Sequence, residues 1–259
     1  MPFDPHRSSS ESSPDPNFGL DLASRPRTAV FGGTFDPIHN GHLFIAGEVI
    51  RRELATEVLF VPAGTPPHKP STVSASAAHR LAMVSAAIEG FGEFSISDIE
   101  INRKEGYSYT YDTMTLLNRV FPDHDLVFLL GMDSLNELHT WHRATELVSH
   151  FDVITYPRGD AMPPAFTRLA ERFGGHNAAR LLNAVMDCET LPISSTRSRR
   201  LVAEMRNPAG LLPASVISYI RSNRLYRPVI SDPEDEEESP AERADALGEA
   251  NGAPPEQAK

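Results

Sequence analysis

The stretch Thr28-Ala-Val-Phe-Gly-Gly-Thr-Phe-Asp-Pro-Ile-His-Asn-Gly-His-Leu43 is a short apolar run, a Gly-Gly turn, and a polar loop entering a helix. Residues 28–31 are β-prone, and from Leu43 onward the spacing is helical, with Leu43, Ala46, Gly47, Ile50 and Leu54 on one side. Gly32 and Gly33 allow a sharp turn and let backbone approach a ligand closely. A helix after such a turn opens with unpaired N–H groups and the positive end of its dipole, which suits a phosphate. His39 and His42, three positions apart, can address one spot in front of that helix.

No Gly-Lys-Ser/Thr follows the glycines and no Gly-x-Gly-x-x-Gly is present, so neither a Walker loop nor a dinucleotide fingerprint is indicated. A zinc site from Asp36, His39 and His42 would need further ligands and supporting hydrogen bonds that nothing nearby supplies. A plain strand-to-helix turn with two incidental histidines is the other alternative. Residues 33–42, G-x-F-D-P-x-H-x-G-H, instead resemble the signature motif of the nucleotidyltransferase superfamily.

Further along, Glu57-Val-Leu-Phe-Val-Pro reads as a second buried strand, ending in the proline-stiffened loop 63–70. Ligands bind at strand carboxyl ends in open parallel sheets, so His68 and Lys69 become phosphate-binding candidates. A helix is predicted over 76–90, a strand with one polar face over 94–101, and a helix from Ser108 to Val120 capped by Ser108 or Thr110. Asp125–Gly131 is the most apolar strand and is expected to be central, with Gly131 and Asp133 at its carboxyl end. Residues 136–150 read as one helix carrying Trp141, whose polar neighbours His139, His142 and Arg143 favour a stacking platform over the core. A fifth strand is expected over 151–156, helix with a Gly174-Gly175 break over 163–186, and a sixth strand over 187–191. Pro192-Ile-Ser-Ser-Thr-Arg-Ser-Arg-Arg200 follows, where Ser195, Thr196 and Arg199 at a helix start form a second anion-binding feature. A last amphipathic helix spans 214–223. The alternation of strands and helices predicts an α/β fold, a doubly wound parallel sheet of five to six strands with helices on both faces.

The 259 residues carry a formal charge of −11, placed mostly at the ends. Residues 232–259 hold ten acidic and two basic side chains, and residues 1–26 hold four and two, so the body is nearly neutral. That excludes a broad nucleic-acid-binding face. The segments 1–26 and 231–259 have too few large apolar residues to offset ordering entropy and are expected to be disordered, leaving one domain over 27–230. The single cysteine, Cys188, cannot form an internal disulfide and is expected to be buried and inert, which fits a reducing cytoplasm. No run approaches membrane-spanning length.

The pieces GGTFDPIHNGH (32–42), VPAGTPPHK (61–69), YTYDT (109–113), FLLGMDSLNELHTW (128–141) and ISSTRSR (193–199) are together similar to the bacterial nicotinate-nucleotide adenylyltransferases. The resemblance covers most of the domain, implies a Rossmann-like fold, and departs at Ser198, where an aliphatic packing residue is usual. It implies adenylyl transfer from ATP, with Mg²⁺, to nicotinate mononucleotide, a step of NAD biosynthesis. It further implies that Gly32, Gly33, Thr34, Phe35, His39 and His42 hold the ATP phosphates, with both histidines catalytic. Ser195, Thr196 and Arg199 would hold the β- and γ-phosphates, and Gly131 and Asp133 the ribose. Lys69 with His68 would face the mononucleotide phosphate, Trp141 would stack on the pyridine ring, and backbone near Thr110 would receive its carboxylate. No protein metal site, nucleic acid or membrane is expected, and a homo-oligomer is left open. Nicotinamide mononucleotide, phosphopantetheine, or a non-catalytic nucleotide sensor are the rival assignments.

Overall fold

A computed structural model describes residues 25–64, 74–103 and 108–227. Five strands, β1 (Arg27–Gly33), β2 (Glu57–Pro62), β3 (Phe94–Ile96), β4 (Asp125–Gly131) and β5 (Asp152–Tyr156), form one sheet in the order β3-β2-β1-β4-β5. Every pairing is parallel; Ala29 on β1 lies opposite Val58 on one side and Val127 on the other. The chain builds outward from β1 through β2 to β3, then returns to β1's other side for β4 and β5. The carboxyl ends of β1 and β4 therefore flank the point where strand order reverses, the place where ligands enter such sheets.

The period of two along a strand divides the core into two layers. Phe31, Phe60, Val127 and Leu129 face α1 (Asn40–Arg51), α2 (Ala77–Ile88) and, nearer the carboxyl end of the chain, the helix Ala214–Ser222, which contributes Val216 and Ile220. Val30, Leu59, Phe128 and Leu130 face the opposite layer, built by α3 (Thr110–Val120), α4 (Met132–Glu137), α5 (Ala144–His150), α6 (Phe166–Phe173) and α7 (Gly175–Asn183). Fully burying one such Leu or Phe contributes roughly 2 kcal/mol. Toward the end of the described residues lie α8 (Ser195–Ala203) and α9, the Ala214–Ser222 helix already named. No helix among the described residues is long and apolar enough to cross a membrane.

Several predicted elements are corrected. The inward face of α1 is centred on Ile45, Ala46 and Val49, with Leu43 and Ile50 only half-buried, so the helix is rotated from the expected phase. β3 stops at Ile96 because the apolar alternation changes parity there, from 94 and 96 to 99 and 101; the chain turns, and the Asp98 carbonyl accepts the Asn102 N–H at 2.9 Å. Neither Ser108 nor Thr110 caps α3: Tyr109 holds the N-cap position and no side chain caps it. The single helix expected over 136–150 begins earlier, at Met132, and breaks around Trp141, where Arg143 adopts a left-handed φ of 54°. β4 is interior but one strand off centre. Residues 187–191 form no strand; a single bridge, Thr155 with Val185, precedes an exposed run toward Pro192.

Candidate active site

Gly32 and Gly33 end β1 without a positive φ, so they serve close approach rather than a sharp turn. A Cβ on Gly33 would stand 2.9 Å from the Phe35 ring. The left-handed residue is Phe35 itself, with φ 49° and its ring buried against Phe31, Phe60 and His42. The loop then enters α1 through a reciprocal cap. The His42 N–H donates to His39 Nδ1 at 3.3 Å, and the His39 N–H donates to His42 Nδ1 at 3.2 Å. The two rings stack with centroids 3.6 Å apart. Burial, then the charge of Arg158, lowers His39 from the ordinary 6.5 to about 4. Burial, His39 and Arg158 hold His42 well below its ordinary value. Both imidazoles are thus neutral at pH 7, and a neutral ring whose Nδ1 accepts carries its proton on Nε2.

α8 docks against the same loop. The Ser195 hydroxyl donates to the Pro37 carbonyl at 2.9 Å, and Arg199 Nη1 donates to the Asp36 carbonyl at 2.6 Å while lying 3.7 Å from its carboxylate. The Asp36 carboxylate, 3% exposed, accepts the N–H groups of Ser74 and Ala75 and the Tyr226 hydroxyl. Both of its oxygens are thus engaged by donors from the protein. Ser198, the departure from the family pattern, is fully buried and donates to the Ser194 carbonyl at 3.1 Å, a packing position as expected.

A cavity of about 530 Å³ opens at the strand-order reversal, lined by Gly32, Gly33, Thr34, Phe35, His42, Gly131, Trp141, Ser195, Thr196 and Arg199. A second, of about 230 Å³, shares Gly32, Gly33, Thr34, Phe128 and Trp141 with it and adds Thr110. Trp141 is half-buried between them, its ring edge-on to Phe128 with centroids 6.1 Å apart, so it is both packed and presented. His39 borders an adjoining recess of about 50 Å³ with His42, Tyr156 and Arg158. Asp133 is exposed and does not line the cavity; its carboxylate lies 3.0 Å from Arg158, which does. Gly131 has no room for a Cβ, which would meet Asp133 Oδ1 at 2.7 Å. His68 and Lys69 lie outside the described residues.

Two residues escaped the sequence reading. Arg158 lines the 530 Å³ cavity, and its only signal is a basic residue two positions past the carboxyl end of β5. Glu100 lines the smaller cavity, receives the Thr113 hydroxyl at 2.7 Å, and is raised above the usual carboxylate range by burial. A strand continued through 94–101 would place Glu100 on the face of Phe94 and Ile96, a position that the reading of one polar face does not single out. Cys188 is half-buried, with its thiol pushed up by burial, which keeps it protonated. A larger cavity of about 800 Å³ lies at the amino ends of the strands, but its arginines are paired with carboxylates, Arg27 and Arg180 with Asp152 and Arg51 and Arg52 with Glu48.

The cytidylyltransferase-like family model matches residues 30–201. A protein of Thermomicrobium roseum named probable nicotinate-nucleotide adenylyltransferase is 41% identical over 205 residues, covering 78% of this chain and 92% of that one. One of the same name from Clostridium botulinum is 36% identical, with coverages of 78% and 98%. Among solved structures, the Plasmodium falciparum nicotinic acid mononucleotide adenylyltransferase complexed with NaAD aligns with a TM-score of 0.63 at 20% identity, covering 78% of this chain and 97% of that one. At that identity the likeness concerns the fold.

Proposed function

The chain belongs to the cytidylyltransferase-like family, in the company of nicotinate-nucleotide adenylyltransferases, and from that premise we propose that it transfers the adenylyl group of ATP to nicotinate mononucleotide. The products are deamido-NAD and pyrophosphate, a step of NAD biosynthesis. The observation that carries this reading is the shared wall between the two cavities, Gly32, Gly33, Thr34, Phe128 and Trp141. Two nucleotides bound in them would meet across it, as direct transfer requires.

In this proposal the domain 27–230 does the chemistry by positioning and charge. The mononucleotide phosphate attacks the α-phosphorus in line and pyrophosphate leaves, with no covalent intermediate and no general base, because the attacking oxygen is already anionic. His42 and His39 donate Nε2–H bonds where charge develops on the phosphoryl oxygens. Arg199, the hydroxyl of Thr196 and the first N–H groups of α8 hold the β- and γ-phosphates, with the Ser195 hydroxyl bracing α8 on the motif loop. Gly32, Gly33, Thr34 and Phe35 offer backbone to the triphosphate. Gly131 and Asp133 take the ribose, Trp141 stacks on the pyridine ring, and backbone near Thr110 receives its carboxylate. His68 and Lys69 are assigned the mononucleotide phosphate on sequence alone. Mg²⁺ would enter as part of the MgATP substrate, carried on phosphate oxygens with few protein ligands.

Pyrophosphate release from ATP and Mg²⁺ with nicotinate mononucleotide, its amide counterpart or phosphopantetheine as acceptor tests the reading. Release with the first at the highest kcat/KM is expected. Release only with another acceptor would move the substrate assignment, and no release with any would favour a nucleotide sensor.

A further inference from the structure

Arg80, in the first turn of α2, is 1% exposed, and no motif singled it out. Its guanidinium spans two loops: Nη1 donates to the Thr34 carbonyl at 2.8 Å and Nη2 to the Gly64 carbonyl at 3.1 Å. Thr34 follows β1 and borders both cavities; Gly64 follows β2. Each acceptor is held from a second side. Gly64 lies so close to the Glu100 backbone that a Cβ there would stand 2.3 Å from its carbonyl oxygen. Thr34 precedes Phe35, whose left-handed φ of 49° persists only where its surroundings impose it. Because C=O and N–H point in opposite directions across a trans peptide, anchoring the Thr34 carbonyl also aims the Phe35 N–H away from the guanidinium. Burial works against its charge, and Asp36 and Glu100 nearby offset that only in part, while Nε is buried without a partner among the described residues. A planar fork is well suited to two divergent carbonyls, where an ammonium could serve only one at a time.

We propose that Arg80 is a positioning residue for the transfer: by fixing the backbone at Thr34 after β1 and at Gly64 after β2 at one spacing, it keeps the acceptor phosphate in line with the α-phosphorus of ATP. The inference rests on the adenylyl-transfer reading above. It says that Arg80 acts on alignment rather than on affinity. Arg80→Lys keeps the charge and one hydrogen bond; Arg80→Met keeps the bulk and neither.

Steady-state pyrophosphate release, separate equilibrium binding of ATP and nicotinate mononucleotide, and thermal melting are measured on the full chain and both variants. Folded Arg80→Met is expected to lose about 10²-fold in kcat, the cost of a misalignment near 1 Å, with far smaller changes in KM and in binding of either substrate. Arg80→Lys recovers part of kcat, and carries the test alone should the methionine variant fail to fold. A folded variant with wild-type kcat overturns the proposal. So does a loss that tracks the unfolded fraction or appears equally as weakened binding. A wild-type protein that releases no pyrophosphate with any acceptor overturns the adenylyl-transfer reading, and the inference with it.

Discussion

A neutral imidazole can stabilise a phosphoryl transfer as long as its N–H is aimed where charge develops and need not reorganise. In the proposed transfer His42 would be the residue to meet that condition; its Nδ1 is held by the His39 N–H and the residue lines the cavity. His42→Ala is expected to lower kcat by about 10²-fold or more while changing KM for ATP much less, since the bond matters chiefly in the transition state. An unchanged turnover number would defeat the assignment. The lowered pKa adds a sign: an imidazolium mechanism would lose activity as pH rises through 6.5, whereas rings already neutral below it predict no such loss. A kcat profile across that range decides. At this scale the histidines were legible because their chemistry is in the side chain and their spacing is local. Arg80 was not: the carbonyls it holds lie 46 and 16 residues away, and a carbonyl has no sequence signature.

The N-terminal end of α1 couples stability to the neighbouring ring, that of His39. His39 is both N-cap and candidate site residue, 6% exposed, with its pKa lowered from 6.5 to about 4. Between those values the unfolded chain binds a proton that the folded one refuses, so stability rises with pH across the window and is lost as pH falls through it. The full difference is about 3 kcal/mol for His39 alone. His39→Asn retains a strong cap, so denaturant unfolding near pH 7 should change by well under about 1 kcal/mol, while the loss toward pH 4 becomes shallower than in the wild type. Equal slopes in both proteins would show that His39 does not titrate as described. Activity should fall, because Asn offers no Nε2–H at that position. Elements with one clear period, such as β2, β4 and α2, were legible nearly to the residue. The break at Trp141 was not, because Arg143 takes a left-handed conformation that no glycine announces.

Across the molecule, the doubly wound order follows from alternating strand and helix patterns, and the reversal between β1 and β4 brings residues more than a hundred positions apart to one crevice. What sequence could not supply is the bracing of Asp36, on the wall of that crevice, by the end of the domain. Tyr226, beyond α9, donates its hydroxyl to Asp36 Oδ1 at 2.7 Å across 190 residues, and Asp36 in turn steadies Arg199. Burial and the adjacent carboxylate push the Tyr226 hydroxyl far above its ordinary range, so it remains a donor at any working pH. Tyr226→Phe removes one hydrogen bond to a buried carboxylate but leaves the Ser74 and Ala75 N–H groups in place, so Asp36 is weakened rather than orphaned. Unfolding in urea should show a loss of about 1–2 kcal/mol. If the same bond also steadies Arg199, KM for ATP should rise in the variant while KM for the mononucleotide stays near the wild-type value, because Arg199 lines the larger cavity and not the smaller one. A stability loss with both constants unchanged would confine Tyr226 to holding the fold, and an equal rise in both would locate its influence in the shared wall instead.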